Sequence, residues 1–388
     1  MQIDFSEKLK KLPPYLFIEI DKKKKLARDK GVDVIDLGVG DPDIPTPDHI
    51  VEAANKAMRI LDNQRYPFGI GLLEFRQAVA DWYKKRFNVV LDPATEVVAL
   101  AGSKEGIYHI HDAFVDPSDD VLVPEPGYPV YANGTVFAEG QNYFMPLKKE
   151  NHFLPDLHAI PEAVAKKAAL MFINYPNNPT AACCDKKFFE KVIKFAQHHN
   201  IIVCHDAAYS EMYYDGEKPA SFLEMAGAKD VGIEFHSLSK TYCMTGWRMG
   251  FACGNAKVLQ GLAKVKENVD SGVFQAVQYA GIAALTGDQK CVDKMREVFQ
   301  ERRDIFVGGL QKMGWKVDKP KASFYVWAEV PPRYTSMHCS SMLLEQAGIV
   351  ATPGIGFGPS GEGYVRFALT QDKQRLQEAL KRIEKIKW

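Results

Sequence analysis

Phe235-His-Ser-Leu-Ser-Lys-Thr-Tyr-Cys-Met-Thr-Gly-Trp-Arg-Met-Gly250 sets two hydroxyls, Ser237 and Ser239, beside one lysine, Lys240, and adds a second cation, Arg248, after a turn at Gly246. Hydroxyls, a glycine turn and an arginine together suit a phosphate dianion. A lysine held among other cations loses proton affinity, and its amine can then add to an aldehyde as a Schiff base. An aldehyde and a phosphate on one small ring describe pyridoxal 5'-phosphate (PLP). An isolated Ser-x-Lys is more often part of a polar surface loop. Here the apolar run 231–235 enters the stretch and 249–252 leaves it, which predicts a loop between two buried strands, where α/β folds hold cofactors.

Working outward, strand-length apolar runs at 97–100, 121–123, 142–145, 169–173 and 201–205 join those at 231–235 and 249–252. Helical patterns at 107–114, 185–199 and 256–268 lie between them. This alternation predicts an α/β fold with a mostly parallel sheet sandwiched by helices. Upstream, 47–59 and 72–87 have helical spacing, and 18–30 reads as a charged helix stopped by Gly31. A short strand at 34–37 runs into Gly38-Val-Gly-Asp-Pro42, whose glycines either admit a ligand close to the backbone or form a plain turn. After Gly287 the pattern changes to a long amphipathic helix at 288–313, strands at 315–317, 323–329, 348–351 and 364–368, and a closing helix at 372–385. The expected organisation is a large domain over 46–286. A smaller α+β domain over 287–388 is joined by the N-terminal arm, 1–45, which has no core of its own.

The 388 residues are 46% apolar and 25% charged, with 49 basic and 49 acidic side chains, so neither nucleic acid nor an anionic membrane is an expected partner. Met1-Gln-Ile-Asp-Phe-Ser-Glu-Lys8 holds no apolar signal region and no apolar run is long enough to span a bilayer. The seven cysteines form no Cys-x-x-Cys pair and, with Cys183 and Cys184 adjacent, are expected to be reduced thiols in a cytoplasmic protein. Gly356-Phe-Gly-Pro-Ser-Gly361 matches the dinucleotide pattern, but Pro359 interrupts it and a strand follows. His109/His111 and His198-His199 have the wrong helical spacing for a shared metal, and none is expected.

Other strand ends carry polar groups suited to the same ring. Gly102-Ser-Lys-Glu-Gly106 opens a helix, so the N–H groups of Ser103 and Lys104 offer a phosphate site, or Ser103 is a plain N-cap. In Pro126-Gly-Tyr-Pro-Val-Tyr131, Tyr128 either stacks on a pyridine face or packs in its loop. Asn178, in Asn174-Tyr-Pro-Asn-Asn-Pro-Thr180, either donates to a phenolic oxygen or marks a turn. Asp206, at the end of a buried run, needs a partner. Facing a pyridine nitrogen it would keep that nitrogen protonated and the ring an electron sink; otherwise it caps a helix. Tyr209 could reach the same oxygen as Asn178. Arg366, in the apolar run Gly363-Tyr-Val-Arg-Phe-Ala-Leu-Thr370, either takes a ligand carboxylate with its planar fork or closes an internal salt bridge.

In this order the motifs resemble the fold-type I PLP-dependent enzymes of the aminotransferase class I/II family. The resemblance runs from Leu37-Gly-Val-Gly-Asp-Pro42 to Tyr364-Val-Arg-Phe367, with Ser237-Leu-Ser-Lys240, Gly246-Trp-Arg-Met-Gly250, Asn177-Asn-Pro-Thr180 and Asp206-Ala-Ala-Tyr209 as its most specific parts. It implies Lys240 as the Schiff-base lysine that also moves the substrate proton. It implies Asp206 on the pyridine nitrogen, Asn178 and Tyr209 on the phenolic oxygen, and Tyr128 against the ring. Ser103, Lys104, Ser237, Ser239 and Arg248 would hold phosphate, and Arg366 the substrate α-carboxylate. Tyr66 would reach the phosphate in the other subunit of a homodimer with shared sites. The implied reaction is ping-pong transamination between amino acids and 2-oxo acids. A C–S lyase on the same fold is the alternative, and a PLP-binding regulator is disfavoured by the neutral charge and the lack of a DNA-binding module.

Within the family, Leu12-Pro-Pro-Tyr-Leu-Phe17 with Glu19-Ile-Asp21, Lys104 and Ala322-Ser-Phe-Tyr-Val-Trp327 looks like the LL-diaminopimelate aminotransferase branch. This implies a substrate with a second amino-acid head. Lys104 would meet its distal carboxylate, Tyr15, Gly40 and Asn178 would line the cleft, and Gln275 would approach from the neighbouring subunit. Tyr66-Pro-Phe-Gly-Ile-Gly71, where some members carry an acid for the distal ammonium, has none. An alanine- or aspartate-type aminotransferase is the alternative, with Lys104 on phosphate only.

Overall fold

Alternate residues of each central strand are apolar and buried, but on opposite sides. Val97 and Ala99, Met171 and Ile173, and Phe251 and Cys253 belong to one core, while Val98 and Leu100, Leu170 and Phe172, and Phe235 and Ala252 belong to a second. A strand with period-two geometry and two buried faces must lie inside a sandwich. The computed structural model describes residues 1–388 apart from Gln2, Pro14, Tyr15 and Phe68. Strand β1 (Ile35–Asp36) precedes seven strands of one sheet: β2 (Val97–Leu100), β3 (Asp120–Glu125), β4 (Gln141–Pro146), β5 (Ala168–Asn174), β6 (Ile202–Asp206), β7 (Gly232–Ser237) and β8 (Gly250–Gly254). The strands β9 (Tyr325–Glu329), β10 (Ile349–Val350), β11 (Thr352–Pro353) and β12 (Tyr364–Ala368) follow.

The large sheet has the order β2-β8-β7-β6-β5-β3-β4. β8 runs antiparallel to both β2 and β7, and the other described pairs of this sheet are parallel. Helix Ser103–Phe114 and helix Ala256–Val269 cover one face, through Ile107, Ile110, Val258 and Leu262. Helix Leu73–Phe87 and helix Lys186–His199 put Phe75, Val79 and Phe189 into the other core. Their boundaries have local causes: Asp185 caps the second with its side chain on Phe188 N at 2.8 Å, and Asn200 ends it in the left-handed region.

The direction of β8 positions the site. Its register sets Gly250 opposite both Leu100 and Ser237. The residues that follow β2, those that follow β7 and those that precede β8 therefore meet at one sheet edge. The carboxyl ends of β5 and β6, at Asn174 and Asp206, share that edge. Gly250 is required there, since a Cβ would press on the carbonyl of His236 and on Ser103 N.

The C-terminal part forms a three-stranded antiparallel sheet, β11-β12-β9, with helices Lys290–Lys312, Ser336–Ala347 and Lys373–Ile383. Strand β1 pairs in parallel with β10 and carries the N-terminal arm to this part of the chain. The expected strand at 315–317 is reduced to a single bridge, Val317 to Ala328, and the strand at 348–351 is split at Ala351 into β10 and β11. Helices Gln275–Thr286 and Ser336–Ala347 were not read from the sequence. The first is rich in small apolar residues on every side, so no amphipathic stripe marks it. All seven cysteines are free thiols.

Candidate active site

Lys240 lies in the short helix Leu238–Thr241 that begins where β7 ends, with Ser237 as its N-cap. Ser237 Oγ accepts from Ser239 N at 3.2 Å, so both hydroxyl residues are held by the turn that presents the lysine. Lys240 Nζ donates to the carbonyl of Gly40 at 2.6 Å and lies 5.6 Å from the centre of the Phe324 ring. Burial, helped by the positive charges of Arg366 and Arg248 and opposed by Asp41, pulls its pKa down from 10.5 to about 8.

Arg248 sits in the left-handed region at φ 55°, donating to Thr245 O at 3.0 Å and to Ala101 O at 3.3 Å. Its guanidinium lies against Gly102, where any Cβ would collide with it and where φ is +80°. Gly102, and not Ser103, is the N-cap of helix Ser103–Phe114. Ser103 is therefore the first helical residue, and the positive end of a 12-residue helix faces the cleft beside Arg248.

On the facing side Asp206, 5% exposed, accepts from the Tyr131 hydroxyl at 2.8 Å and from Ala208 N at 3.3 Å. Burial raises its pKa against those two hydrogen bonds, so the carboxylate has use for a cationic partner. Asn174 links the strand ends, donating to Asp206 O at 2.7 Å and accepting from Asn178 N at 2.8 Å. Asn178 Oδ1 accepts from Arg366 Nη1 at 2.7 Å, and Arg366 Nη2 donates to Gly38 O at 2.6 Å. These acceptors are neutral oxygens, and the guanidinium lies 4.2 Å from the centre of the Tyr325 ring. Tyr209 and Tyr325 share a hydroxyl–hydroxyl contact at 3.0 Å.

Gly40, Ser103, Lys104, Tyr128, Asn178, Asp206, Tyr209, Ser237, Ser239, Lys240, Arg248 and Arg366 thus line one cleft of about 370 Å³. This is within the size range of small-molecule sites, roughly 300–1,000 Å³. Lys104 Nζ lies 5.9 Å from the centre of the Tyr128 ring. Tyr66, 74% exposed, and Gln275 do not line the cleft within this chain. Tyr15 lies outside the described residues. Sequence reasoning assigned no role to Tyr131, Asn174, Thr245 or Tyr325, and their signal was their position within motifs already quoted. It also gave no role to Asp21, which lines the cleft and lies in the quoted stretch Glu19-Ile-Asp21. Elsewhere Glu105, His109 and Asp270 approach one another, but Lys266 Nζ stands at 2.8 Å from Glu105 and 2.9 Å from Asp270, where a cation would sit.

The donor set fits PLP on its own chemistry. Two hydroxyls, an arginine and a helix N-terminus suit the phosphate. The buried Asp206 suits a ring N–H, and a lysine of lowered pKa suits the aldehyde.

The sequence profile of the family described as aminotransferase class I and II matches residues 32–383. The chain belongs to that family. It is therefore an aminotransferase, of a family that is PLP-dependent. It is 58% identical over 381 residues to the LL-diaminopimelate aminotransferase of Moorella thermoacetica, covering 98% of each chain. It is 56% identical to the enzyme of that name from Aquifex aeolicus, covering 99% of each. Among solved structures, substrate-bound BacF from Bacillus subtilis superposes with a TM-score of 0.95 at 43% identity, over 99% of this chain and 98% of that one. A single mutant of Thermus thermophilus aspartate aminotransferase superposes at 0.92 with 28% identity, over 99% of each.

Proposed function

We propose that this aminotransferase moves an amino group between LL-2,6-diaminopimelate and 2-oxoglutarate. In the biosynthetic direction it would convert tetrahydrodipicolinate and glutamate, in lysine biosynthesis. The observation that carries this reading is the run of relatives named LL-diaminopimelate aminotransferase, 51–58% identical over almost the whole chain. Bound PLP supplies an electron sink for the charge left when the substrate Cα loses its proton.

The chain's own residues do the rest. Lys240 anchors the cofactor and, once its amine is freed, takes the proton from substrate Cα; a pKa of about 8 suits a base working near neutral pH. Asp206 holds the ring nitrogen in its protonated form, oriented by Tyr131. Asn178 and Tyr209 address the phenolic oxygen, and Tyr128 stacks on the ring. Ser237, Ser239, Arg248 and the start of helix Ser103–Phe114, with Ser103 and Lys104, hold phosphate. Arg366 binds the α-carboxylate in two hydrogen bonds, its fork steadied by Asn178 and Gly38. Lys104 meets the distal carboxylate, while Gly40, Tyr15 and Gln275 complete the cleft.

The working unit in this reading is a homodimer in which Tyr66 reaches the partner's phosphate. Exposed Ile60, Leu61, Leu73 and Phe274, on or beside segments that pack with helix Gln275–Thr286, support an interface there. The division into a large domain, 46–286, and a small domain formed by 1–45 and 287–388 belongs to the same proposal, as does a cytoplasmic location. No helix among the described residues is long and apolar enough to cross a membrane.

The deciding experiment is kcat/KM for LL-diaminopimelate against aspartate and alanine, with 2-oxoglutarate as acceptor. A strong preference for diaminopimelate is expected. Equal activity on alanine or aspartate would refute the assignment in favour of a broad aminotransferase.

A further inference from the structure

The cleft contains one carboxylate that the mechanism above does not use. Among the described residues that line it, only Asp21 and Asp206 are acids. Asp206 is buried at the carboxyl end of β6. Asp21 stands on the arm helix Leu16–Asp29, with a side chain 57% exposed, and so faces the open end.

The arm is not loosely draped at this point. Lys24 Nζ lies 2.5 Å from Asp21 and 2.9 Å from Asp36. Asp36 ends β1 and accepts from Gly38 N at 3.0 Å. The same segment gives its Gly38 carbonyl to Arg366 and its Gly40 carbonyl to Lys240. One lysine thus ties Asp21 to the strand end that frames the reacting centre. The bridge fixes the position of Asp21 at the cleft wall.

A ligand held by Arg366 at one end extends toward the open end of the cleft. The cleft wall offers it Lys104 as a cation and Asp21 as an anion. A carboxylate receptor and an ammonium receptor on the wall of one cleft complement a second α-amino-acid head, whereas a plain dicarboxylic chain would bring Asp21 no ligand cation. We propose that Asp21 binds the distal ammonium of the substrate and, with Lys104, makes the arm the reader of the second amino-acid head. This rests on the diaminopimelate reading above and names the residue that would select for it.

The test compares LL-diaminopimelate with L-2-aminopimelate, which has the same chain and both carboxylates but no distal amino group. The quantity read is the ratio of their kcat/KM values on the holoenzyme. Wild type should favour diaminopimelate, and Asp21→Asn should lower the ratio by about ten- to a hundredfold, the size expected for one charge-assisted hydrogen bond. Asp21→Lys should lower it further by opposing the ammonium. A purely structural role through Lys24 would shift both substrates together and leave the ratio unchanged. An unchanged ratio in both variants, with wild type still preferring diaminopimelate, overturns the role of Asp21 alone. Wild type that fails to use diaminopimelate overturns the substrate reading and this inference with it.

Discussion

Replacing Lys240 by methionine should stabilise the cofactor-free protein at neutral pH. The lysine's pKa falls from 10.5 to about 8 on folding, chiefly through burial. Unfolded chains therefore hold the proton up to about pH 10.5 and folded ones only up to about 8. At pH 7 both are protonated, and the folded state carries the whole cost of a buried ammonium, about 3 kcal/mol at 1.36 kcal/mol per pKa unit. Between the two pKa values the unfolded state binds more protons, so stability rises with pH and the cost fades. Methionine removes the charge but also the hydrogen bond to Gly40 O, which is worth about 1 kcal/mol. The net expectation is about 2 kcal/mol in favour of Lys240→Met at pH 7, shrinking to under about 1 kcal/mol by pH 9.5. Urea unfolding of both cofactor-free proteins, at one protein concentration and several pH values, measures this difference. A Lys240→Met protein less stable than its parent at pH 7, or a difference that does not change between pH 7 and 9.5, would refute the argument.

Lys104→Ala should lower the preference for LL-diaminopimelate over alanine by roughly 10- to 100-fold, since it removes a charged hydrogen bond worth about 1.5–3 kcal/mol; an equal loss on both substrates would confine Lys104 to the phosphate. Mixing inactive Lys240→Ala with inactive Tyr66→Phe and allowing subunits to exchange should restore one working site per mixed dimer, read as recovered activity. Full wild-type activity in a protein that sediments as a monomer would exclude the shared site.

Much of the sheet was legible because its signals are local. The runs at 97–100 and 364–368 coincide with β2 and β12, and the Asp185 cap and the left-handed Asn200 bound a helix read at 185–199. A buried strand declares itself by apolar content, and a helix end by its cap, whatever lies elsewhere in the chain. The short motifs at strand ends were legible for the same reason, since a loop after a buried strand that carries hydroxyls, amides and charges has few structural reasons to do so.

The sequence by itself thus determined the alternation of elements, the loops in which polar groups gather, and a resemblance that covers the whole chain. Tertiary structure decided what those loops face. The antiparallel course of β8 brings Arg248 against Gly102 and sets Gly250 opposite Ser237, and strand direction is a property of pairing that no local pattern encodes. It reduced 315–317 to one bridge at Val317, because a short apolar run becomes a strand only where a partner's backbone is free to pair. It set Asn178 on Arg366, residues that are 188 positions apart, so that a group read for the cofactor also steadies the carboxylate receptor. It also carried Asp21 into the cleft through Lys24 and Asp36. In the sequence Asp21 closes the Glu19-Ile-Asp21 stretch on a charged helix; only the packing of the arm against the strand end places it on the cleft wall.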